Sequence, residues 1–279
     1  MRAAIVKKFG PASNIVIEQA WPCPTISNRQ VLVRVKASSV NPVDTYIRAG
    51  QYAQLPELPY TPGRDGSGIV EQIGKEVQNF KVGDSVWFTR PTTGSSAELA
   101  VVEDTLFLLP EGISYSQGAA LGIAYMTAYR ALILKGSAKP GQSVFIHGAS
   151  GGVGIAACQI AKALGLQVVG TAGTENGIKL VEENGAEFVF NHREKDYVSK
   201  IQEKFPNGFD IILEMLANQN LDTDLTLIGK NGRIVVIGNR GTSQIDARKT
   251  MQKESMIIGV GLGFSTIEMM EKFHAQWDT

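Results

Sequence analysis

The sequence predicts an α/β protein in which a small, mostly β domain precedes a doubly wound parallel-sheet domain. Two observations carry this prediction. Nine of the eleven prolines precede residue 111, in a region where short strand-like runs alternate with turn residues. Beyond about residue 115, continuous β-branched runs alternate with helical stretches, which is typical of a parallel sheet covered on both faces. We place the two domains at residues 1–116 and 117–279.

In the first domain, residues 31–36 alternate between apolar and polar positions, as a half-buried strand does. Residues 15–17 and 85–88 are weaker strand candidates. Between these runs, several prolines and glycines predict irregular connections. This half is therefore expected to be rich in short strands and loops.

The second domain alternates strand and helix patterns along its whole length. A helix over residues 119–132 leads into it. Strands are expected at 143–147, 167–170, 188–190, 210–213, 233–237 and 256–260, and helices at 153–164 and 178–183.

The composition is that of a globular protein and excludes several classes. Apolar residues make up 43% and the formal net charge is zero, so a large basic face for nucleic acid is not predicted. Two distant cysteines, Cys23 and Cys158, exclude a disulfide scaffold and a multi-cysteine metal site. The start of the chain is charged too early for a signal peptide, and no apolar run approaches the ~20 residues that span a bilayer. We expect a protein of a reducing compartment, without a membrane partner.

Residues 147–154, His-Gly-Ala-Ser-Gly-Gly-Val-Gly, form the most informative motif. The motif leaves a predicted strand and opens a predicted helix, as a dinucleotide-binding fingerprint does. Ala149 takes the first glycine place, and Gly151 and Gly154 take the second and third. Gly151 would let backbone N–H groups approach a pyrophosphate at the helix N-terminus. The alternative is an ordinary tight turn between strand and helix.

The second strand of this domain indicates which nucleotide is bound. NAD-binding folds usually place a carboxylate at its end, where it bonds the ribose hydroxyls. Here Ala172 occupies that place, which removes the repulsion of a 2′-phosphate and favours NADP, although Glu175 is a nearby acid. Candidate cationic or donor partners for the phosphate are Lys179, His192, Arg193 and Arg240.

The chain lacks the residues for a catalytic zinc site. Zinc needs Cys, His or carboxylate ligands in a tetrahedral arrangement. The first half contains Cys23 and no histidine, since His147, His192 and His274 all lie in the second half. We therefore expect no metal, with the chemistry coming from the cofactor.

Several segments resemble a known family. Asn-Pro-Val-Asp-Thr-Tyr-Ile-Arg at 41–48, Leu-Pro-Tyr-Thr-Pro-Gly at 58–63 and Gly-Ala-Ala-Leu-Gly-Ile at 118–123 resemble the quinone oxidoreductase branch of the medium-chain dehydrogenase/reductase superfamily. Zinc-binding relatives have Gly-His-Glu where this chain has Gly63-Arg64-Asp65. Within the branch, the segments 170–174, 190–194 and 214–218 are similar to the zeta-crystallin group.

The resemblance implies a GroES-like first domain, a Rossmann second domain and the zinc-independent, NADPH-dependent one-electron reduction of ortho-quinones to semiquinones. It also implies a cytoplasmic homotetramer that binds AU-rich messenger RNA. The residues that it implies for NADPH contact are Tyr46, Ser150, Gly151, Gly152, Val153, Gly173, His192, Asn220, Ile237, Gly238, Asn239, Arg240, Val260, Gly261 and Leu262. The remaining candidates for cofactor contact are Gly154, Lys179 and Arg193.

Relatives continue past the point where this chain ends. They return to complete the first domain, whereas this chain ends at Thr279, within or just past a helix that begins near Thr266. We therefore expect the C-terminal return segment to be missing. Its absence would leave strands of the first domain unpaired and apolar surface exposed.

The substrate-side candidates are Asn41, Asp44, Tyr46, Tyr52 and Thr127. The two tyrosines could stack on a planar quinone and bond its oxygens. Each candidate also has a structural alternative. The tyrosines could fill a core, Asp44 and Asn41 could cap a turn at Pro42, and the Thr127 hydroxyl could bond its own helix.

Two rival functions stay open beside quinone reduction. One is NADPH-dependent reduction of the double bond of enones or alkenals, which needs no metal either. The other is an RNA-binding or structural, crystallin-type protein with little activity. Self-association is expected through residues 256–260, an apolar run at the expected edge of the second sheet.

Overall fold

The structure is a computed structural model that describes residues 1–262. The described chain forms two compact units, and the division between them falls after Ala124, whereas the boundary expected from the sequence follows residue 116. The helix expected from near Thr266 lies outside the described residues. Within those residues, no helix is both long enough and apolar enough to cross a membrane.

The first unit is built on a five-stranded antiparallel sheet. Its strand order is β6-β3-β4-β5-β7, and β1 pairs separately with β2. The strands are β1 (Ala3–Val6), β2 (Ile15–Glu18), β3 (Val31–Ser39), β4 (Asp65–Ile73), β5 (Ser85–Thr89), β6 (Leu99–Val102) and β7 (Leu106–Leu108). The three strands predicted from the sequence are confirmed as β3, β2 and β5.

The apolar start of β3 packs on both faces of its sheet. Val31 and Val33 belong to one core cluster, which includes Phe88 of β5. Leu32 lies on the opposite face beside Leu99 and Val101. Alternate side chains of a strand point to opposite faces, so three consecutive buried residues require a cover on each.

Helical turns continue from the first unit into the second. The helix α1 (Pro42–Arg48) lies in the first unit, and α2 (Tyr115–Ala120) is followed by wider turns over Leu121–Tyr125, α3 (Met126–Tyr129) and wider turns over Arg130–Lys135. The helix expected over 119–132 is therefore present but locally unwound. One cause is Asp65, whose carboxylate accepts the Ile123 N–H at 3.0 Å and lies against Gly122. A carboxylate that takes a helix N–H in this way favours a π-bulge.

The second unit is a six-stranded sheet in which every neighbouring pair is parallel, in the order β10-β9-β8-β11-β12-β13. The six expected strands are confirmed. They are β8 (Ser143–Ile146), β9 (Gln167–Ala172), β10 (Phe188–Asn191), β11 (Phe209–Glu214), β12 (Ile228–Val236) and β13 (Met256–Gly259). The helices are α4 (Gly152–Ala163), α5 (Glu175–Glu183), α6 (Tyr197–Lys204), α7 (Ala217–Leu227) and α8 (Ala247–Lys253).

This order places the first strand of the unit, β8, next to β11 in the middle of the sheet. The chain runs outward from β8 in one direction and from β11 in the other, which makes their boundary the topological switch point. The central strands are buried on both faces: Ile211, Ile212 and Leu213 are fully buried. Ligands of such sheets bind at the carboxyl ends of the strands beside the switch point.

Candidate active site

Apart from Lys179, the predicted cofactor residues of the second unit collect at one edge of its sheet. Carboxyl ends of parallel strands share an edge. The glycine loop follows β8, Gly173 follows β9, and His192 follows β10. Residues 237–240 follow β12 and residues 260–262 follow β13. Tyr46 is the one cofactor candidate in the first unit, on α1.

The glycine loop presents backbone N–H groups at the start of α4. Gly148 has φ of +54°, which glycine adopts without strain, and its carbonyl accepts the Gly151 N–H at 2.9 Å. Gly151 begins the helix without a side-chain cap. The first N–H groups of a helix have no partner inside it. Together with the helix dipole, they form a site for an anion such as a pyrophosphate.

Gly151 and Gly154 have different surroundings. A Cβ atom on Gly151, which is exposed, would meet only the Gly148 carbonyl oxygen, at 3.3 Å. A Cβ atom on Gly154 would lie 2.6 Å from backbone atoms of Gly148 and Ala149. Gly154 therefore lets helix and loop pack closely. Gly151 leaves space on the side where a ligand would approach.

The loops after β9 and β10 meet at a basic corner. Ala172 ends β9 and is fully buried, and its carbonyl accepts the His192 N–H at 3.2 Å. An ideal Cβ on Gly173 would lie 2.8 Å from His192 Nε2 and 3.0 Å from Arg193 Nε. His192 and Arg193 are exposed, so their donors can reach a ligand. Burial and Arg193 lower the pKa of His192, which leaves Arg193 as the permanent charge at this corner.

Lys179 lies away from the start of α5, on an exposed turn of that helix. No described contact joins it to His192 or Arg193, so its cofactor role stays a prediction.

The turn after β11 is bonded to the loop after β12. The Glu214 carbonyl accepts the N–H groups of Ile237 at 2.8 Å and Gly238 at 3.2 Å. Asn218 accepts the Arg240 N–H through its side-chain oxygen at 3.0 Å. Asn220 donates to the Glu214 carboxyl at 3.2 Å. The cofactor candidates on these two segments therefore share one hydrogen-bonded network.

Three buried polar residues below this edge were missed by the sequence analysis as a group. His147 Nε2 lies 2.7 Å from Asp224 Oδ1 and 3.3 Å from Glu214 Oε2. Burial raises the pKa of Glu214 to about 7 and that of Asp224 to about 7, and it lowers the pKa of His147. The signals available in the sequence were the histidine before the glycine loop and a carboxylate ending an apolar strand. Only the fold brings α7 and Asp224 to them.

These three residues are hydrogen-bonded to one another in a way that does not fit zinc. Two ligands of one tetrahedral zinc ion lie about 3.3 Å apart, given metal–ligand bonds of roughly 2.0–2.1 Å. The 2.7 Å contact between His147 and Asp224 is a hydrogen-bond distance instead. The group is also buried, whereas a catalytic zinc needs an open position.

In the first unit, Asn41 and Asp44 come together with Asp65. Asp44 accepts the Asn41 N–H at 2.8 Å, as a capping residue of α1 does. The Asn41 side chain donates to Asp65 at 2.8 Å, and Asp65 also accepts from Thr89 at 2.6 Å. Burial raises the pKa of Asp44 to about 6. Asn41 and Asp44 thus stabilise the start of α1 and the contact with Asp65. Their roles in substrate binding stay predictions.

The remaining substrate candidates lie in different surroundings. Tyr46 is half-buried on α1, and Tyr52 is exposed in the loop that follows. Thr127 is buried on α3 in the second unit. The structure leaves the Tyr52 ring free of its own unit's core, so the core-filling alternative does not apply to it.

Comparison with known proteins agrees with this architecture. The family model for the alcohol dehydrogenase GroES-like domain matches residues 27–132, and the model for zinc-binding dehydrogenase matches residues 152–276. Among solved structures, the Escherichia coli quinone oxidoreductase complexed with NADPH superposes with a TM-score of 0.87 at 28% identity, covering 99% of this chain and 86% of that one. The Pseudomonas syringae quinone oxidoreductase gives a TM-score of 0.89 at 27% identity, covering 99% of this chain and 87% of that one.

Curated relatives are more similar still. The chain is 50% identical to the human quinone oxidoreductase over 277 residues, which is 99% of this chain and 84% of the relative. The mouse quinone oxidoreductase is 50% identical over 277 residues, covering 98% and 84%. Because half of its residues match these relatives over nearly its whole length, the chain belongs to the quinone oxidoreductase group of the medium-chain dehydrogenase/reductase superfamily.

Proposed function

We propose that this protein is an NADPH-dependent quinone reductase that transfers one electron at a time to ortho-quinones. The observation that carries the proposal is the uncapped, glycine-flanked start of α4 at the carboxyl edge of the sheet. The His192–Arg193 corner at the same edge supplies a place for a 2′-phosphate. The relatives that share half of this sequence are named quinone oxidoreductases.

The residues of this chain bind and orient the cofactor. The N–H groups at the start of α4 hold the pyrophosphate, and Gly151 leaves room for it. Arg193 and His192 hold the 2′-phosphate. The further contacts that we propose are made by Tyr46, Ser150, Gly152, Val153, Gly173, Asn220, Ile237, Gly238, Asn239, Arg240, Val260, Gly261 and Leu262.

The cofactor supplies the electrons, since one NADPH reduces two quinones by one electron each and leaves NADP⁺, a proton and two semiquinones. A quinone accepts an electron without a proton donor, so the reaction needs no general acid from the chain. The residues that we propose for contact with the quinone are Tyr46, Tyr52, Asn41, Asp44 and Thr127. A cytoplasmic location and binding of AU-rich messenger RNA stay predictions from the resemblance.

The substrate class is tested by comparing two acceptors with NADPH as donor. We expect phenanthrenequinone to be reduced and an alkenal to be turned over at least about tenfold more slowly. NADPH oxidation followed in the ultraviolet, with semiquinone detected by electron paramagnetic resonance, measures both rate and product. An alkenal preferred over the quinone would instead support double-bond reduction.

Removal of metal ions is expected to leave quinone reduction unchanged. Residues 1–124 contain no histidine, and the buried His147 group has hydrogen-bond rather than zinc geometry. Dialysis against EDTA, followed by the same assay with and without added zinc, provides the measurement. Activity that falls on dialysis and returns with zinc would contradict the metal-free proposal.

Self-association is expected through β13. This strand is at the edge of the described sheet, and Met256 and Ile257 are exposed on it. An unpaired strand edge with apolar side chains can be satisfied by a two-fold partner. Ile257→Lys should shift the protein toward monomer in sedimentation velocity at micromolar concentration. The control is Leu180→Lys on exposed α5; a monomeric wild type, or equal behaviour of both variants, would rule out this interface.

A further inference from the structure

The buried group formed by His147, Glu214 and Asp224 has no part in the proposed electron transfer, yet it lies directly below the cofactor edge. His147 immediately precedes the glycine loop, Glu214 ends β11 and Asp224 is on α7. All three side chains are at least nine-tenths buried. Buried carboxyl groups reduce stability relative to a packed apolar trio. Because these carboxyl groups do not add stability at the switch point, we looked to cofactor binding for their role.

Glu214 occupies the centre of the hydrogen-bonded network that holds the cofactor loops. One oxygen of its carboxyl accepts from the Leu216 N–H and from Asn220. Its main-chain carbonyl accepts from Ile237 and Gly238. Moving this residue would therefore move the turn after β11 and the loop after β12 together.

The other carboxyl oxygen of Glu214 faces the inside of the group. Glu214 Oε2 lies 3.3 Å from His147 Nε2, which is itself bonded to Asp224 at 2.7 Å. The ligand atoms of the three residues all lie within 4.8 Å of one another. Two carboxylates this close and this deeply buried cannot both ionise at low cost, so they retain a proton between them.

We propose that Glu214 is a positioning residue for the nicotinamide cofactor, and that the proton held with Asp224 and His147 is coupled to cofactor binding. The inference rests on the proposed function, because it takes the cofactor to lie at this edge. A second negative charge below the pyrophosphate would oppose an anionic ligand. A bound cofactor therefore favours the protonated group, and by linkage the protonated group binds the cofactor more tightly.

The direction of the pH effect follows from the raised pKa values of the two carboxyls, both about 7. Affinity is greatest below this pH and falls as the pH rises through it. Burial raises the pKa of Tyr197 on α6, so it stays neutral. The Asp222–Lys249 ion pair lies on the exposed side of α7. The lowered pKa of His192 keeps it neutral above pH 7.

The test measures cofactor affinity by fluorescence titration of the full chain between pH 6.5 and 8.5. NADH is used beside NADPH, because it lacks the 2′-phosphate, which titrates in the same range. For wild type we expect both affinities to fall with pH, by about tenfold for a single coupled proton. Glu214→Gln keeps an oxygen acceptor for Leu216 and Asn220 but cannot ionise. It should bind NADH within about threefold of wild type at pH 6.5, with a pH profile shallower than that of wild type, because Asp224 is then the one carboxyl of the group left to ionise.

Glu214→Ala should weaken both cofactors at least about tenfold at pH 6.5, since two N–H donors lose their acceptor. Glu203→Ala on exposed α6 is the matched control and should behave as wild type. If Glu214→Ala does not fold, the profile of Glu214→Gln decides the question alone. A Glu214→Gln profile as steep as that of wild type, or unchanged affinity in Glu214→Ala, overturns the inference only. A wild type that binds neither cofactor overturns the proposed function as well.

Discussion

Gly151→Val is expected to weaken NADPH binding by at least about a hundredfold while the protein stays folded. A valine side chain at this position would block the approach of the pyrophosphate to the N–H groups that begin α4. Charge-assisted hydrogen bonds contribute roughly 1.5–3 kcal/mol each. The loss of two of them therefore corresponds to about a hundredfold or more in affinity.

The structure explains why the fold should tolerate this change. Gly151 has an extended backbone, with φ of −81° and ψ of 168°, a conformation that β-branched residues adopt readily. Its added Cβ would contact only the Gly148 carbonyl oxygen, at 3.3 Å, so a shift of that carbonyl by a few tenths of an ångström accommodates it. Gly154→Val should behave differently, because its Cβ would lie 2.6 Å from backbone atoms. That variant is expected to lose stability as well as binding.

Fluorescence titration with NADPH and a thermal melt of each variant separate these effects. Ala163→Val, at the exposed far end of α4, is the matched control, because it also introduces a valine into the same helix. Its NADPH affinity should equal that of wild type. Unchanged affinity in Gly151→Val would remove the glycine loop from the cofactor site.

Arg193→Ala is expected to reduce NADPH affinity roughly ten- to a hundredfold and to leave NADH affinity nearly unchanged. An arginine–phosphate pair is charge-assisted, and its contribution of roughly 1.5–3 kcal/mol applies only to the cofactor with a 2′-phosphate. Arg193 is exposed beside Gly173, so removing its side chain leaves no cavity. Wild type should accordingly prefer NADPH.

Calorimetric titration of both cofactors against wild type and variant measures this preference. Lys195→Ala removes an exposed charge of the same sign two residues further along and should change neither affinity by more than about twofold. Equal dissociation constants for NADPH and NADH in wild type would show that this corner does not bind a 2′-phosphate.

Ala172→Asp tests the same preference from the opposite side, by adding a charge that repels the phosphate and can bond the ribose hydroxyls. Ala172 is fully buried at the end of β9, so a carboxylate there also carries a desolvation cost. The melting temperature of Ala172→Asp is therefore measured together with its NADPH and NADH affinities. Arg193→Ala, which adds no buried charge, is the decisive test of the preference for NADPH.

The sequence alone determined the order of the two sheets and predicted where the cofactor binds. Strands of a parallel sheet are buried on both faces, and their continuous apolar runs identified all six strands of the second unit. The motif at 147–154 combines a strand, glycines and a helix start within eight residues. Local patterns of this kind are set by backbone geometry, which nearby residues control.

Only the tertiary structure decided which distant residues meet. The helix over 119–132 has the right extent, but its wider turns over Leu121–Tyr125 form where Asp65, more than fifty residues away, accepts the Ile123 N–H. His192 and Arg193 become neighbours of Gly173 because β10 pairs with β9. Asp224 reaches His147 across 77 residues. Contacts of this kind arise when helices and strands pack against or pair with one another. The spacing of hydrophobic residues in the sequence specifies which face of a helix or strand is buried, but not which other element covers it.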